Sequence, residues 1–259
     1  MTKIDISKIA SDNYLLAALA LPDFSLVLPH LKVSKLEQGV TLAEQESFVE
    51  TVYFPIEGMV SLVAAMDTGE AIELATAGQE AAIGLPEALG RRPAVARAVV
   101  QVPGIALSIP ADVVRQIASQ SARLRELADC YEQALFAQLA QTAACNALHS
   151  LDHRLARWLL QTSDRVNTRS LVLTQEFVAQ MLGVSRTTVT LLAGRLQQSG
   201  IIRYSRGHIE ILDRARLEAA SCECYRTINR RVAETYRLCN IHRRPPDGAV
   251  RTIRLRVAE

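Results

Sequence analysis

Ser185, Arg186, Thr187, Thr188 and Thr190 bring together four hydroxyls and one guanidinium, with no acid among them. That chemistry suits a polyanion. Hydroxyls and the N–H groups of a helix start donate to phosphate oxygens, and arginine can grip the O6/N7 edge of guanine with two parallel bonds. A helix that only completed a core would be free to carry Asp or Glu in its first turn, where the dipole favours them. Thr174 and Gln175 lie just upstream and are expected near phosphates. Arg206 and His208 lie just downstream and are expected along the backbone or the minor groove.

The stretch that must position them is LTQEFVAQMLGVSRTTVTLLAGRLQQSG, residues 173–200. Thr174 can cap a helix carrying Phe177, Val178, Met181 and Leu182. Gly183 falls where the chain must turn left-handed, and Val184 can plug the gap behind it. Ser185 can cap a second helix, whose Val189, Leu192 and Leu196 recur at helical spacing. Ala179 is small where two steeply crossing helices touch, and glycine follows four residues on. This is the helix-turn-helix pattern. The next residues, IIRYSRGHIEILD, form two short β runs around Arg206-Gly207, which read as a wing.

Overall charge hides this reader. The formal net charge is only +2. Residues 1–110 hold 7 Lys and Arg against 13 Asp and Glu, whereas residues 111–259 hold 22 against 14. An acidic front half joined to an arginine-bearing back half implies two tasks, with the anionic partner at the back. No run of apolar residues is long enough for a membrane span, and MTKIDISKIASDNYLL lacks the apolar core of a signal peptide, so a cytoplasmic protein is expected.

Residues 32–110 read as antiparallel strands, with breaks at Glu57-Gly58, Asp67-Thr68-Gly69, Ala77-Gly78 and Pro103-Gly104, and suggest a sandwich or small barrel. SDNYLLAALALPDFSLVLPHL before them reads as short helices opened by Ser11 or Asp12. After Pro110 the chain runs for more than fifty residues without proline or glycine. Leu124, Leu127, Tyr131, Ala134, Gln138, Cys145 and Leu148 mark one face of a long helix there. Ala134, Ala137 and Ala140 would admit a partner helix, so this stripe is expected to form a dimer seam.

The five cysteines are Cys130, Cys145, Cys222, Cys224 and Cys239. Their odd number and their absence from the first half predict reduced structural residues rather than a disulfide framework. Cys222-Glu-Cys224 is tighter than the usual zinc pairs. In HSLDH, His149 and His153 lie four apart beside Asp152, a loose echo of zinc-protease spacing, but the glutamate base and a third ligand are missing. A metal-binding barrel would need clustered histidines, and only His30 precedes the long helix. Neither a catalytic centre nor a metal site is expected, and no cofactor is evident. The tail from residue 240, NIHRRPPDGAVRTIRLRVAE, reads as a loosely ordered terminus with a basic cluster.

Taken together, these residues resemble the Crp/Fnr transcription regulators over nearly the whole length. The resemblance rests on residues 173–212, on VYFPIEGMVSLV and on LVLPHLKVSKLEQGVTL. It implies an α+β chain: a β-barrel sensor of jelly-roll, cyclic-nucleotide-binding-like type over residues 1–118, a dimerisation helix over 119–148, a winged helix-turn-helix over 149–220, and a C-terminal helix and tail over 221–259. It further implies a homodimer on a two-fold symmetric promoter site, with double-stranded DNA and RNA polymerase as partners. The family's cyclic-AMP cassette aligns with GQEAAIGLPEALGRRPAVARA. Gly84 matches, but Leu85 replaces the ribose-binding glutamate, Arg92 is followed by Pro93, and Arg97 is a poor substitute. A small-molecule effector other than cyclic AMP is therefore expected, the alternative being a cyclic-nucleotide-responsive regulator. An Fnr-type iron–sulfur cluster is not expected, because no cysteine precedes Cys130. Thr187 and Leu191 stand where cyclic-AMP-type members carry glutamate and arginine, so a different target sequence is implied.

Overall fold

The computed structural model describes residues 5–205 and 207–242. Three short helices come first, α1 (Ile6–Ala10), α2 (Tyr14–Ala17) and α3 (Leu21–Val27), and a 3-10 turn at Leu28–His30 ends them. Asn13, not Ser11 or Asp12, caps α2. Its buried side-chain oxygen accepts from the Leu15 and Leu16 N–H groups, while its amide donates to the carbonyls of Pro55 and Ala81. One side chain therefore both starts a helix and ties it to the sheet.

The sheet is antiparallel and comprises β1 (Lys32–Leu36), β2 (Thr41–Ala43), β3 (Thr51–Ala65), β4 (Ala71–Ala77) and β5 (Arg97–Pro110), with helix α4 (Leu85–Gly90) before the last strand. Its order is β1-β5-β3-β4, and β2 also pairs with β5. The breaks expected at Glu57-Gly58 and Pro103-Gly104 do not occur, for β3 and β5 run straight through them as long partners. Register shifts between Pro55 and Val60 bend the pair instead, giving the curl of a jelly-roll. Gly58 has φ +89°, and a Cβ there would lie 2.6 Å from the Val102 carbonyl oxygen. A Cβ on Gly104 would overlap the Glu57 backbone. These glycines serve close strand approach, not reversal. Gly69 does reverse the chain, at φ +85° with its N–H on the Met66 carbonyl.

The long helical stretch is three helices, α5 (Ala111–Gln120), α6 (Ala122–Leu148) and α7 (Leu151–Val166). Extended residues at Ser121 and at His149–Ser150 separate them, and the Ser121 hydroxyl caps α6 by accepting from the Leu124 N–H. Then come β6 (Ser170–Val172), α8 (Gln175–Leu182), α9 (Arg186–Gln198), β7 (Ile202–Ser205), β8 (His208–Ile211), α10 (Arg214–Ala220) and α11 (Cys224–Leu238). Strand β6 joins the wing as a third strand, in the order β6-β8-β7.

Two expectations are corrected by how α11 packs. Leu124, Leu127, Tyr131, Ala134, Gln138 and Cys145 are buried within their own chain, against the sensor core and α11, so this stripe is not a free dimer seam. Only Leu148 of the set is exposed. Moreover, Cys130 of α6 and Cys239 after α11 form a disulfide, with Cα atoms 6.5 Å apart. The expectation of five reduced cysteines fails because α11 returns to the sensor, a contact that sequence spacing does not register.

Two cores result. The first joins sheet, α5 and α6, and takes Tyr236 and Ile241 from the C-terminal part. The second lies among α7, α8, α9 and the wing, and includes Val63 and pulls in Ala71 from the β3–β4 hairpin. Trp158 of α7 is 1% exposed there, and its indole N–H donates to the Glu73 carboxylate of β4 at 2.9 Å. Arg165 adds an ion pair to Glu80 at 3.1 Å. Among the described residues no helix is long and apolar enough to cross a membrane.

Candidate nucleic-acid interface

Each helix of the pair starts on the cap its sequence calls for. The Thr174 hydroxyl accepts from the Phe177 N–H at 3.2 Å, and the Ser185 hydroxyl accepts from the Thr188 N–H at 3.2 Å. Between them Gly183 has φ +64°, the left-handed turn that stops α8, and Ala179 is buried at the crossing. Val178, Met181, Leu182, Val189, Leu192 and Leu196 are buried in the second core. This anchoring leaves Ser185, Arg186, Thr187 and Thr190 exposed along one side of α9, with Thr188 half-buried.

Polar contacts then organise that side. Gln175, at the start of α8, accepts from the Thr190 hydroxyl at 2.9 Å and from Arg186 Nε at 3.5 Å. The glutamine thereby links the two helix starts and steers the guanidinium. Among the described residues no carboxylate pairs with Arg186, whereas Arg195 is held by Asp152 and Arg203 by Glu210. No acid stands in the first turn of α9. The face therefore presents a helix N-terminus, hydroxyls and an unneutralised cation, the donor set that phosphates and a guanine edge accept. Leu191 is 61% exposed on the same helix, one turn beyond Thr187. In sequence it stands where the family's cyclic-AMP-type members carry arginine, and an outward apolar group there suits a thymine methyl.

His208 is exposed on β8, opposite Ser205. The Gly207 carbonyl accepts from the Leu173 N–H at 2.7 Å, which ties the wing's turn to the residue just before Thr174. Arg206 lies outside the described residues.

The residues aligned with the nucleotide cassette do not converge. Gly84 adopts φ +80°, and a Cβ there would strike the Val49 side chain at 2.6 Å. Leu85 is fully buried in the sensor core. Arg92 reaches outward to Glu132 of α6 at 3.1 Å, and Arg97 pairs with Glu44 at 2.7 Å. The cavity between β4 and α6 is instead lined by Thr76, Glu80, Tyr131, Gln138, Arg165 and Tyr236 among others, and by none of these four.

Asp152 faces Arg195 rather than the two histidines, so HSLDH makes no protease-like constellation. Yet His149 does meet cysteines. Cys145, His149, Cys222 and Cys224 place one ligand atom each within 4.8 Å of one another.

The fold and the reader both have counterparts. Residues 33–121 match the model of the cyclic nucleotide-binding domain, and residues 153–220 match that of the Crp-like helix-turn-helix domain. No curated protein matches the chain. Among solved structures, FixK2 from Bradyrhizobium japonicum is similar, with TM-score 0.64, 14% identity, and 74% of this chain covering 98% of that one. The c-di-GMP responsive global regulator CLP of Xanthomonas campestris follows at TM-score 0.61 and 15% identity, over 74% and 99% of the two chains. A CRP/FNR family transcriptional regulator from Thermus thermophilus, TTHA1359, gives 0.58 and 21%, over 73% and 98%. With a cyclic nucleotide-binding domain in front and a Crp-like helix-turn-helix domain behind, the chain has the fold of a Crp/Fnr-type DNA-binding transcription regulator.

Proposed function

We propose that the protein acts as a homodimer on a two-fold symmetric DNA site, and that its sensor answers to an effector other than cyclic AMP. The observation that carries the DNA reading is the exposed start of α9, where Arg186 has Gln175 and, among the described residues, no carboxylate beside it. Two copies are needed for a symmetric site, because each reader covers one half-site and half-sites repeat about one helical turn apart. Support for pairing comes from the outward face of α6. Phe136 is 64% exposed there, and Ala140, Ala143 and Ala147 follow it at alternating four- and three-residue steps. The expected seam thus moves about half a turn around the helix from the apolar stripe the sequence suggests. RNA polymerase is the further partner that such a regulator addresses.

The effector reading rests on Leu85. A fully buried leucine offers nothing to a ribose hydroxyl, and the arginines nearby are committed to Glu132 and Glu44. A selection of genomic fragments by the full-length protein, followed by footprinting, tests the function. An inverted repeat protected over two successive major-groove faces is expected. Failure to retain any fragment at low salt would leave the winged motif a protein-binding module. Titration of cyclic AMP should leave thermal stability unchanged; a saturable rise contradicts the assignment of Leu85.

A further inference from the structure

Away from the DNA face, the junction between α6, α7 and α11 gathers three cysteines and one histidine from two distant segments. Cys145 lies in the last turn of α6, and His149 caps that helix four residues on, so both point to one side. Cys222 and Cys224 flank Glu223, whose turn conformation (φ −55°, ψ −19°) carries the chain from a loop into α11. That turn is why a spacing of two, too tight for an extended pair, still delivers both sulfurs to the same point.

The distances fit a single ion. Cys145 Sγ is 3.5 Å from Cys222 Sγ, Cys224 Sγ is 3.4 Å from His149 Nδ1, and all four atoms fall within 4.8 Å of one another. Tetrahedral zinc, with arms of about 2.3 Å to sulfur and about 2.0 Å to nitrogen, sets its ligands roughly 3.5–3.8 Å apart. A multi-iron cluster would hold its cysteines at greater separation than this set spans.

The surroundings are those of a metal site as well. His149 Nε2 faces a Glu223 carboxylate oxygen at 3.2 Å, which fixes the ring with Nδ1 turned to the sulfurs, the carboxylate–histidine arrangement of zinc ligands. Gln141 Nε2 donates to Cys224 Sγ at 3.1 Å and is itself held through its oxygen by Arg231. Arg154 and Arg157 are buried in the field of the cysteines, and the Nε atom of each lacks a hydrogen-bond partner. Two buried, under-satisfied cations beside neutral thiols are costly; beside thiolates they are compensated.

We propose that Cys145, His149, Cys222 and Cys224 bind one Zn²⁺. Binding displaces the three thiol protons to solvent and leaves a Cys₃His–zinc assembly of net charge −1 facing Arg154 and Arg157. The ion staples the end of α6, the α6–α7 hinge and the start of α11, which are otherwise joined only through the peptide and noncovalent packing at this point. It is a closed, structural site: four protein ligands complete the tetrahedron and no position is left for a substrate.

Metal analysis of the full-length chain, purified with a phosphine reductant and without chelator, tests this. About one zinc per chain is expected. Replacement by Co²⁺ should give the intense visible and near-ultraviolet bands of tetrahedral cobalt with three thiolates. Cys222→Ser and Cys224→Ser should each fall well below stoichiometric zinc, while Cys130→Ser and Cys239→Ser retain it. Should the ligand variants fail to fold, the wild-type cobalt spectrum decides alone. Folded wild-type chain that holds no zinc and takes up no cobalt overturns the site. Octahedral cobalt bands, or iron with acid-labile sulfide, overturn the mononuclear Cys₃His assignment.

Discussion

Arg186 is the residue on which sequence and structure make the most specific demand. It is exposed at the start of α9, its Nε approaches Gln175, and no carboxylate among the described residues neutralises it. Arg195 and Arg203 are no nearer neutrality by composition, but their Asp152 and Glu210 partners draw them into surface ion pairs. Arg186→Ala should therefore weaken binding to the preferred site by about 1–3 kcal/mol and relax selection at a single base pair in each half-site. Fluorescence anisotropy on the preferred and on scrambled duplexes measures both effects. Equal losses on the two duplexes would make Arg186 a phosphate contact. These residues were legible because caps, the Gly183 turn and the apolar spacing of a helix-turn-helix are all local in sequence. Leu191 was legible only as a departure from the family's pattern, and its exposure adds that an apolar group faces outward there. The Cys145–His149–Cys222–Cys224 cluster was not legible, because its two halves lie far apart in the chain and the second depends on the turn at Glu223.

At the scale of elements the same distinction holds. Helices α8 and α9 and the wing follow the sequence closely, whereas β3 and β5 defeat it: Gly58 and Gly104 look like turn residues but exist to let two backbones approach. The face of α6 was misassigned for another nonlocal reason. Its most apolar stripe is the one α11 and the sensor cover, and the exposed side is the alanine-rich one. Helix α11 is pinned there by Tyr236, buried in the sensor core with its hydroxyl donating to the Glu80 carbonyl, and by the Cys130–Cys239 disulfide. That bond spans 109 residues and so encloses the whole helix-turn-helix domain. A cross-link of this length restricts the unfolded chain strongly, with a typical contribution of about 2–4 kcal/mol. Cys239→Ala should lower the midpoint of thermal unfolding, and a phosphine reductant should lower that of the wild type by a similar amount. The reductant should leave the variant unmoved. A wild-type midpoint indifferent to reductant would show that α11 is held by packing alone.

For the molecule as a whole, the informative place is where the sensor meets the reader. Glu73 of β4 is buried there, accepting from the Ser61 hydroxyl and from Trp158 of α7, with Arg157 and Arg165 nearby. Burial outweighs these hydrogen bonds and cations and pushes its carboxyl up from 4.5 to about 7. A carboxyl that holds its proton more tightly when folded stabilises the fold fully below its ordinary range. That contribution is lost as pH rises from about 4.5 to about 7 and does not change further above it. The span corresponds to roughly 2–4 kcal/mol. Above neutrality the ionised carboxylate gains by rehydration, so the contact between β4 and α7 should loosen in preference to either core. Trp158 is the only tryptophan in the chain, and its emission reports on this contact directly. The wild type should show a red shift centred near pH 7, and a urea midpoint that falls between about pH 4.5 and 7 and levels off above. Glu73→Gln keeps an acceptor for Trp158 and an amide donor for Ser61 but carries no charge, so its emission and midpoint should be flat over the same interval. A transition that persists unchanged in Glu73→Gln would assign the pH response to another group and leave the boundary between sensor and reader insensitive to protons.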